Sequence, residues 1–173
     1  VEKLRTAGVE PTHLDSHKHT HLIPRVLEAM LRVAREHQIP WIRRPFDLPL
    51  TAATANAPWK RRITSRMLRG LHRRFERQVA AAGCRGTDYF AGFQITGLYR
   101  TQELAALIRA LPPGLTELMT HPGHCTAELQ AASTRLKQSR AEELEALLAP
   151  EVRLAAEEAG VEITRFSRIS PDR

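Results

Sequence analysis

The segment His13-Leu14-Asp15-Ser16-His17-Lys18-His19-Thr20-His21 contains four of the eight histidines of the chain, together with one aspartate. The aspartate and the last three histidines alternate along the segment, so an extended strand would point all four side chains to one side. Imidazole and carboxylate groups are the usual ligands of zinc and other catalytic divalent ions. The segment therefore predicts a strand that ends in a metal or acid–base site. The alternative is a histidine-rich surface turn that binds nothing.

Short apolar runs and amphipathic helical patterns alternate from this segment towards the C-terminus. This alternation indicates an α/β fold with a parallel sheet or barrel, in which catalytic residues collect at the carboxyl ends of the strands. The histidine-rich segment and His121 both lie where a predicted strand ends, which favours an active site. Predicted strands cover 12–17, 39–43, 88–93, 115–121 and 161–166. One predicted helix begins at Pro24, and four more cover 59–82, 102–111 (capped by Thr101), 139–149 and 151–159.

Two histidines are the leading candidates for chemistry. His17 is the preferred metal ligand because it lies at the predicted strand end beside Asp15. His121 is the preferred acid–base residue; the alternative is a histidine that only stabilises the Pro122-Gly123 turn. A divalent ion lowers the pKa of its bound water and polarises a carbonyl, and a nearby histidine can protonate a leaving group. These residues predict a metal-dependent hydrolase.

Composition and length indicate one globular domain. The 173 residues are enough for a sizeable core, and 42% hydrophobic with 26% charged residues are ordinary values for a globular protein. No apolar run approaches the roughly 20 residues of a membrane-spanning helix. Cys84 and Cys125 are far apart in the sequence, so no disulfide framework is expected and a cytoplasmic location fits best.

The net charge of +7 comes from one segment. Residues 60–77 contain eight of the 26 basic residues and one of the 19 acids, which leaves 18 of each in the rest of the chain. The segment suggests a rival function, binding to nucleic acid or to an anionic membrane surface. A solvated arginine-rich face is the simpler alternative, and the 5% aromatic content argues against nucleic acid. Apolar residues near every fourth position predict the buried side of the helix: Ile63, Met67, Leu71, Phe75 and Val79.

A longer stretch around the histidines resembles a known family. Pro11-Thr12-His13-Leu14-Asp15-Ser16-His17-Lys18-His19-Thr20-His21-Leu22-Ile23-Pro24 is similar to the signature of the YdjC-like carbohydrate deacetylases. These include chitooligosaccharide deacetylases and a branch associated with hopanoid biosynthesis. Further similar motifs follow in the same order and extend the resemblance over nearly the whole chain: Ile42-Arg43-Arg44-Pro45, Glu117-Leu118-Met119-Thr120-His121-Pro122-Gly123, Ser139-Arg140-Ala141-Glu142-Glu143-Leu144 and Gly160-Val161-Glu162-Ile163.

The resemblance implies a fold, a reaction and site residues. The fold would be a distorted (β/α) barrel, and the reaction would remove an N-acetyl group from an amino sugar with a divalent ion, usually magnesium. Zinc stays open, because the ligand types do not choose between the two metals. A homodimer is also implied. His17 matches the metal-binding histidine and His121 the active-site histidine of the His-Pro-Gly motif; Asp15 would belong to the catalytic set by orienting His17, and His19 would contact substrate.

Two further expectations concern the substrate pocket and the start of the chain. Arg43 or Arg44 is expected to contact the sugar, and the irregular stretch 45–58 is expected to shape its pocket. Family members begin with an Asp-Asp-Phe-Gly strand and later carry a Gly-x-His strand, and neither motif occurs here. A complete barrel also needs about 250 residues. Residues 1–173 are therefore expected to be one catalytic-type domain that forms the C-terminal two-thirds of a deacetylase and lacks its first strands and part of its metal ligands. A non-catalytic relative that binds sugars or partners is the alternative.

Overall fold

The computed structural model describes residues 1–48 and 57–169, so most of the expected pocket loop at 45–58 lies outside the described residues. Short strands alternate with helices along the chain. The strands are β1 (His13–Leu14), β2 (Trp41–Ile42), β3 (Tyr89–Ala91) and β4 (Thr116–Leu118). The helices are α1 (Glu2–Thr6), α2 (Pro24–Glu36), α3 (Trp59–Leu68), α4 (His72–Ala81), α5 (Thr101–Arg109), α6 (Ala127–Ala131), α7 (Gln138–Leu148) and α8 (Pro150–Glu158), and 3-10 turns cover His17–Leu22, Arg69–Leu71 and Phe166–Arg168.

All the strand pairings are parallel. β1 pairs with β2, with His13 opposite Trp41, and β3 pairs with β4, with Phe90 opposite Glu117. Parallel bridges from Trp41 to Arg85 and from Asp47 to Phe90 connect the two pairs. The strands therefore neighbour one another in chain order, the arrangement produced by repeated β–α units. This confirms the predicted α/β fold with parallel strands.

Helices bury two apolar clusters against these strands. In one, α2 and α4 pack on β2 through Leu27, Phe75 and Ile42. Pro24 begins α2, because proline lacks the amide hydrogen that a first helical residue leaves unpaired. In the other, α5 packs on α7 and α8 and covers β3, with Leu104 and Ala155 fully buried. The two clusters hold the helices against the strands, and polar side chains lie at the strand ends.

The second cluster gives a direct test of the packing. We expect Leu104→Ala to lower the free energy of unfolding by about 2–5 kcal/mol, because Leu104 is 0% exposed and its truncation leaves a cavity. Leu148→Ala, which truncates a leucine that is 75% exposed, should change it by less than about 0.5 kcal/mol. Urea unfolding of both variants measures the difference. Equal losses would contradict the described core.

The strand predicted over 12–17 is shorter than expected. Only His13 and Leu14 form β1, and a 3-10 turn begins at His17. Lys18 and His19 have φ values of 54° and 56°, in the left-handed region that breaks any strand or helix. The prediction that the aspartate and three histidines share one strand face is therefore wrong. Two of those histidines, His19 and His21, are turned into the protein instead.

The basic helix predicted over 59–82 is also interrupted. A 3-10 turn that contains Gly70 separates α3 from α4, consistent with the low helix propensity of glycine. Phe75 and Val79 on α4 are buried as predicted, but Ile63, Met67 and Leu71 are exposed, so that part of the prediction is wrong.

Two smaller expectations at the ends of elements fail as well. Thr101 is the first residue of α5 rather than its cap, and Arg100 occupies the N-cap position without a side-chain bond. The strand predicted over 161–166 does not form: no described strand pairs with it, and Ile163 is 88% exposed. Within 1–48 and 57–169, no helix is both long and apolar enough to cross a bilayer.

Candidate functional site

Charged side chains converge at the carboxyl ends of the strands. Asp15 follows β1, Arg43 follows β2, Glu117 lies within β4 and His121 follows it. Because parallel strands end at the same edge of a sheet, these residues meet although they are up to about a hundred positions apart in the sequence. The predicted site residues Asp15, His19, Arg43 and His121 thus belong to one region, which we call the strand-end site together with Glu117.

Arg43 lies at the centre of the strand-end site. Its guanidinium forms ion pairs with Asp15 and with Glu117, where Nε is 2.7 Å from Oε1. Both the Arg43 and Glu117 side chains are largely buried. Bonds to two carboxylates in a partly buried place fix the orientation of the planar guanidinium far better than a single exposed contact would. The other Glu117 oxygen, Oε2, is buried and has no hydrogen-bond partner among the described residues.

His19 is a buried histidine beside this ion-pair network. Its ring makes edge contacts with Phe90, at a centroid distance of 5.6 Å, and is tilted against Phe93 at 6.2 Å. Burial, followed by the nearby positive charge of Arg43, lowers the pKa of His19 to about 4. The imidazole is therefore neutral near pH 7. Its Nδ1 is buried without a hydrogen-bond partner in the described part of the chain.

His121 is held by a buried carboxylate. Glu143 of α7, only 1% exposed, accepts the backbone N–H of His121 at 2.5 Å and that of Gly97 at 2.8 Å. Burial is the main cause that lowers the pKa of the His121 ring; Glu143 opposes the shift, and the guanidinium of Arg140 adds to it. The ring is thus neutral near pH 7, the form that can accept a proton. Its Nδ1 lacks a partner among residues 1–48 and 57–169.

His17 and Asp15 are arranged differently from the prediction that one orients the other. His17 is exposed at the start of the 3-10 turn, and Asp15 is paired with Arg43. Among the described residues, no three His, Cys, Asp or Glu side chains come together in a way that could hold a metal ion. The described residues alone therefore do not fit a divalent ion, and His17 can contribute one ligand to such a site at most.

His21 is a structural histidine that connects Ser16, in the loop after β1, to Arg43. Its Nε2 donates to the backbone carbonyl of Arg43 at 3.0 Å, while its Nδ1 lies 2.6 Å from the Ser16 hydroxyl. A carbonyl can only accept, so the Nε2–H tautomer is required and Nδ1 accepts from Ser16. The same hydroxyl oxygen accepts the His21 backbone N–H at 2.9 Å. This chain of bonds fixes the backbone from which the Arg43 side chain extends.

The buried His21 makes stability depend on pH. The pKa of His21 lies below the usual value of 6.5, and burial of the ring is the largest cause of this shift. As the pH falls below about 6.5, the unfolded chain therefore takes up a proton that the folded chain does not, and the free energy of unfolding decreases. We expect His21→Gln to cost about 1–3 kcal/mol at pH 7. Between pH 7 and pH 5, the variant should then lose less free energy of unfolding than the unchanged protein does. Urea titrations at both pH values measure this, and parallel losses would contradict it.

Sequence reasoning missed Glu117, Glu143 and the role of His21. A usable signal existed for Glu117, because a carboxylate inside the apolar run Leu115–His121 requires a buried partner. Glu143 lies three residues before the buried Ala146 on α7, so it shares the inward face of that helix. Nothing in the local pattern indicates that its partners are the backbone groups of Gly97 and His121.

Known proteins are similar to this chain over most of its length. The family model described as YdjC-like protein matches residues 1–158. Proteins named carbohydrate deacetylase match from Xenopus laevis (29% identical over 70% of this chain and 44% of the relative), Mus musculus (28%, 96% and 58%) and Clostridium beijerinckii (24%, 97% and 57%). The chain spans about half the length of the curated relatives it matches.

A solved structure shows the same fold. It belongs to an Enterococcus faecalis protein described as a candidate cellobiose-phosphate cleavage protein. The TM-score is 0.63 at 21% sequence identity, over 96% of this chain and 56% of the other. This likeness supports the arrangement of parallel strands and helices described above.

Proposed function

The chain belongs to the YdjC-like protein family, and on that premise we propose that the protein is a carbohydrate deacetylase, a hydrolase that removes the N-acetyl group from an amino sugar. The observation that carries the proposal is the strand-end site, where a neutral His121 lies beside the fixed Arg43. Acetylated chitooligosaccharides and hopanoid-linked amino sugars are the two substrate classes to be tested.

Hydrolysis of an acetamide requires two proton movements that one neutral histidine can perform. A water molecule must lose a proton as its oxygen attacks the carbonyl carbon, and the amine must gain a proton as the C–N bond breaks. In our proposal, His121 takes the first proton and returns it to the leaving nitrogen. Glu143 acts through the backbone: its bond to the His121 N–H holds the residue in place during both steps.

Arg43 and His19 bind and orient the sugar in this proposal, and Asp15 acts by restraining Arg43. The guanidinium of Arg43 is restrained by Asp15 and Glu117, so any N–H that these carboxylates leave free meets a hydroxyl or carbonyl oxygen of the sugar at a set angle. The unpartnered Nδ1 of His19 supplies a further polar contact. Its aromatic neighbours Phe90 and Phe93 provide apolar surface beside that nitrogen.

Metal dependence is part of the proposal and rests on the resemblance of the histidine-rich segment to the family signature. His17 is the proposed ligand for magnesium, or alternatively zinc, and the remaining ligands would come from outside the described residues. A bound ion would supply an acidified water and a polarised carbonyl. We also propose that the four strands form part of a distorted barrel, that residues 1–173 act as one catalytic-type domain, and that the protein is a cytoplasmic homodimer.

A chelator experiment tests this function against its rivals. The protein is expressed from its complete reading frame, including any codons upstream of Val1, and acetate release from acetylated chitooligosaccharides and from hopanoid-linked acetylated amino sugars is followed. We expect activity on one of the two classes that is lost after chelation and restored by Mg²⁺ or Zn²⁺. Activity that persists in the chelator would contradict the metal proposal. No acetate from either class, with sugar binding retained, would favour a non-catalytic relative.

A further inference from the structure

One side of α3 and the turn that follows presents an apolar row to solvent. The row consists of Trp59, Ile63, Met67 and Leu71, which are 65%, 49%, 74% and 44% exposed. A four-residue spacing places side chains along one stripe of a helix. Helices of globular proteins turn such a stripe towards the core. This row, which we call the outward row, faces away from it. A contiguous exposed patch of this kind marks an interaction surface.

Polar contacts on the opposite side hold the outward row in this orientation. Ser65 is buried and accepts the side-chain amide of Gln94 at 3.2 Å. Arg61 donates to the backbone carbonyls of Gln94 and Thr96 at 3.1 and 2.7 Å. Because these polar residues contact the loop after β3, the apolar residues cannot turn inwards without breaking the three bonds.

Basic residues flank the outward row, and no acidic residue lies between Trp59 and Glu76 in the sequence. Glu76 is the first acidic residue after Trp59 in the sequence, and it is already paired with Arg44. Among the described residues, none of the cations beside the row forms an ion pair with a carboxylate. These cations are Lys60, Arg62, Arg66, Arg69, Arg73 and Arg74.

We propose that the outward row of α3 binds the surface of an anionic lipid bilayer. A helix whose apolar stripe is bordered by cations lies in the interfacial plane, with its apolar side chains among the acyl chains and its cations at the lipid phosphates. Nucleic acid would use the cations but leaves exposed Ile63 and Met67 unexplained. A symmetric contact between two copies of this face would place like charges opposite one another. The inference uses no residue of the strand-end site and does not rest on the deacetylase proposal.

Vesicle binding with tryptophan emission tests the proposal. The complete protein is mixed with vesicles of phosphatidylcholine alone and of phosphatidylcholine with phosphatidylserine. We expect sedimentation with the anionic vesicles only, weakened by salt, and a blue shift of tryptophan emission on binding. Trp59 is exposed and Trp41 is only 4% exposed, so the shift should disappear in Trp59→Phe.

Paired variants separate the apolar and the electrostatic contributions. The double variant Ile63→Ser, Met67→Ser should bind the anionic vesicles at least about tenfold more weakly. Arg62→Gln with Arg66→Gln should weaken it about 30-fold at low salt. Matched controls remove exposed groups of the same kinds elsewhere: Leu148→Ser with Ile163→Ser, and Arg153→Gln with Arg165→Gln. Both controls should bind vesicles as the unchanged protein does.

Three results would overturn the proposal. One is equal binding to neutral and anionic vesicles, or binding that neither α3 variant weakens. Another is salt-dependent binding to single- or double-stranded DNA without any vesicle-induced emission shift. The third is a protein dimer in solution that the Ile63 and Met67 changes dissociate, because the row would then be a contact between copies. Acetate release from a soluble substrate should be unchanged in all the α3 variants, which keeps this test separate from that of the activity.

Discussion

Replacing His121 with glutamine should lower kcat for acetate release by about 10²–10⁴-fold, the usual contribution of a positioned acid–base group. Glutamine keeps the approximate size and polarity of the side chain but cannot carry the proton between water and the leaving amine. The backbone bond from residue 121 to Glu143 does not involve the side chain, so the turn after β4 should keep its conformation. Single-turnover rates measured beside kcat report the chemical step.

The matched control for this variant is His37→Gln, at the end of α2 and outside the strand-end site. It should keep the activity of the unchanged protein. The pH profile provides a second readout: the acid limb, which reports protonation of His121, should be present in the unchanged protein and absent in His121→Gln. Because the pKa of His121 is lowered, that limb should lie below pH 6.5. A variant that retains both the rate and the limb would exclude His121 as the acid–base residue.

His17→Ala has the second large expected effect. If His17 binds the metal, its loss should lower activity by about a thousandfold or more, because a bound ion supplies several kcal/mol of charge stabilisation. Metal binding measured by calorimetry should weaken in parallel. The thermal unfolding midpoint of the metal-free protein should change little, since the His17 side chain is exposed.

Thr20→Ala is the control for His17→Ala, because it changes an exposed side chain in the same 3-10 turn. It should retain both metal affinity and activity. If His17→Ala left the metal affinity unchanged, the assignment of His17 as a ligand would fail. The acid–base role of His121 would be unaffected by that result.

Local patterns in the sequence predicted most of the helices and strands and their order. The apolar stripe behind Pro24 gave α2, and the short apolar runs gave β2, β3 and β4 to within a few residues. These predictions succeed because burial of one face imposes its period on the sequence. The same order placed Arg43 and His121 at strand ends, where the structure brings them into one site.

Long-range pairings and turn geometry could not be predicted in the same way. The alternation in 15–21 is compatible with a strand, but the left-handed residues Lys18 and His19 direct the histidines differently. The outward row of α3 has the period of a buried face, and only the polar contacts of Arg61 and Ser65 show which side is buried. Glu143 contacts the strand-end site by accepting the backbone N–H of His121, and it also accepts that of Gly97. Both residues are far from it in the sequence, so no local pattern predicts the contacts.

The central claim is that the strand-end site hydrolyses an acetamide on a sugar, and the products test it most directly. The protein from the complete reading frame is incubated, with Mg²⁺ present, with acetylated chitooligosaccharides and with hopanoid-linked acetylated amino sugars, and released acetate and newly formed primary amine are counted together. The account predicts equal amounts of the two products from one of these substrate classes, and neither product from the His121→Gln variant. Cleavage between sugar units without acetate, or acetate release that is unchanged in His121→Gln, would contradict it.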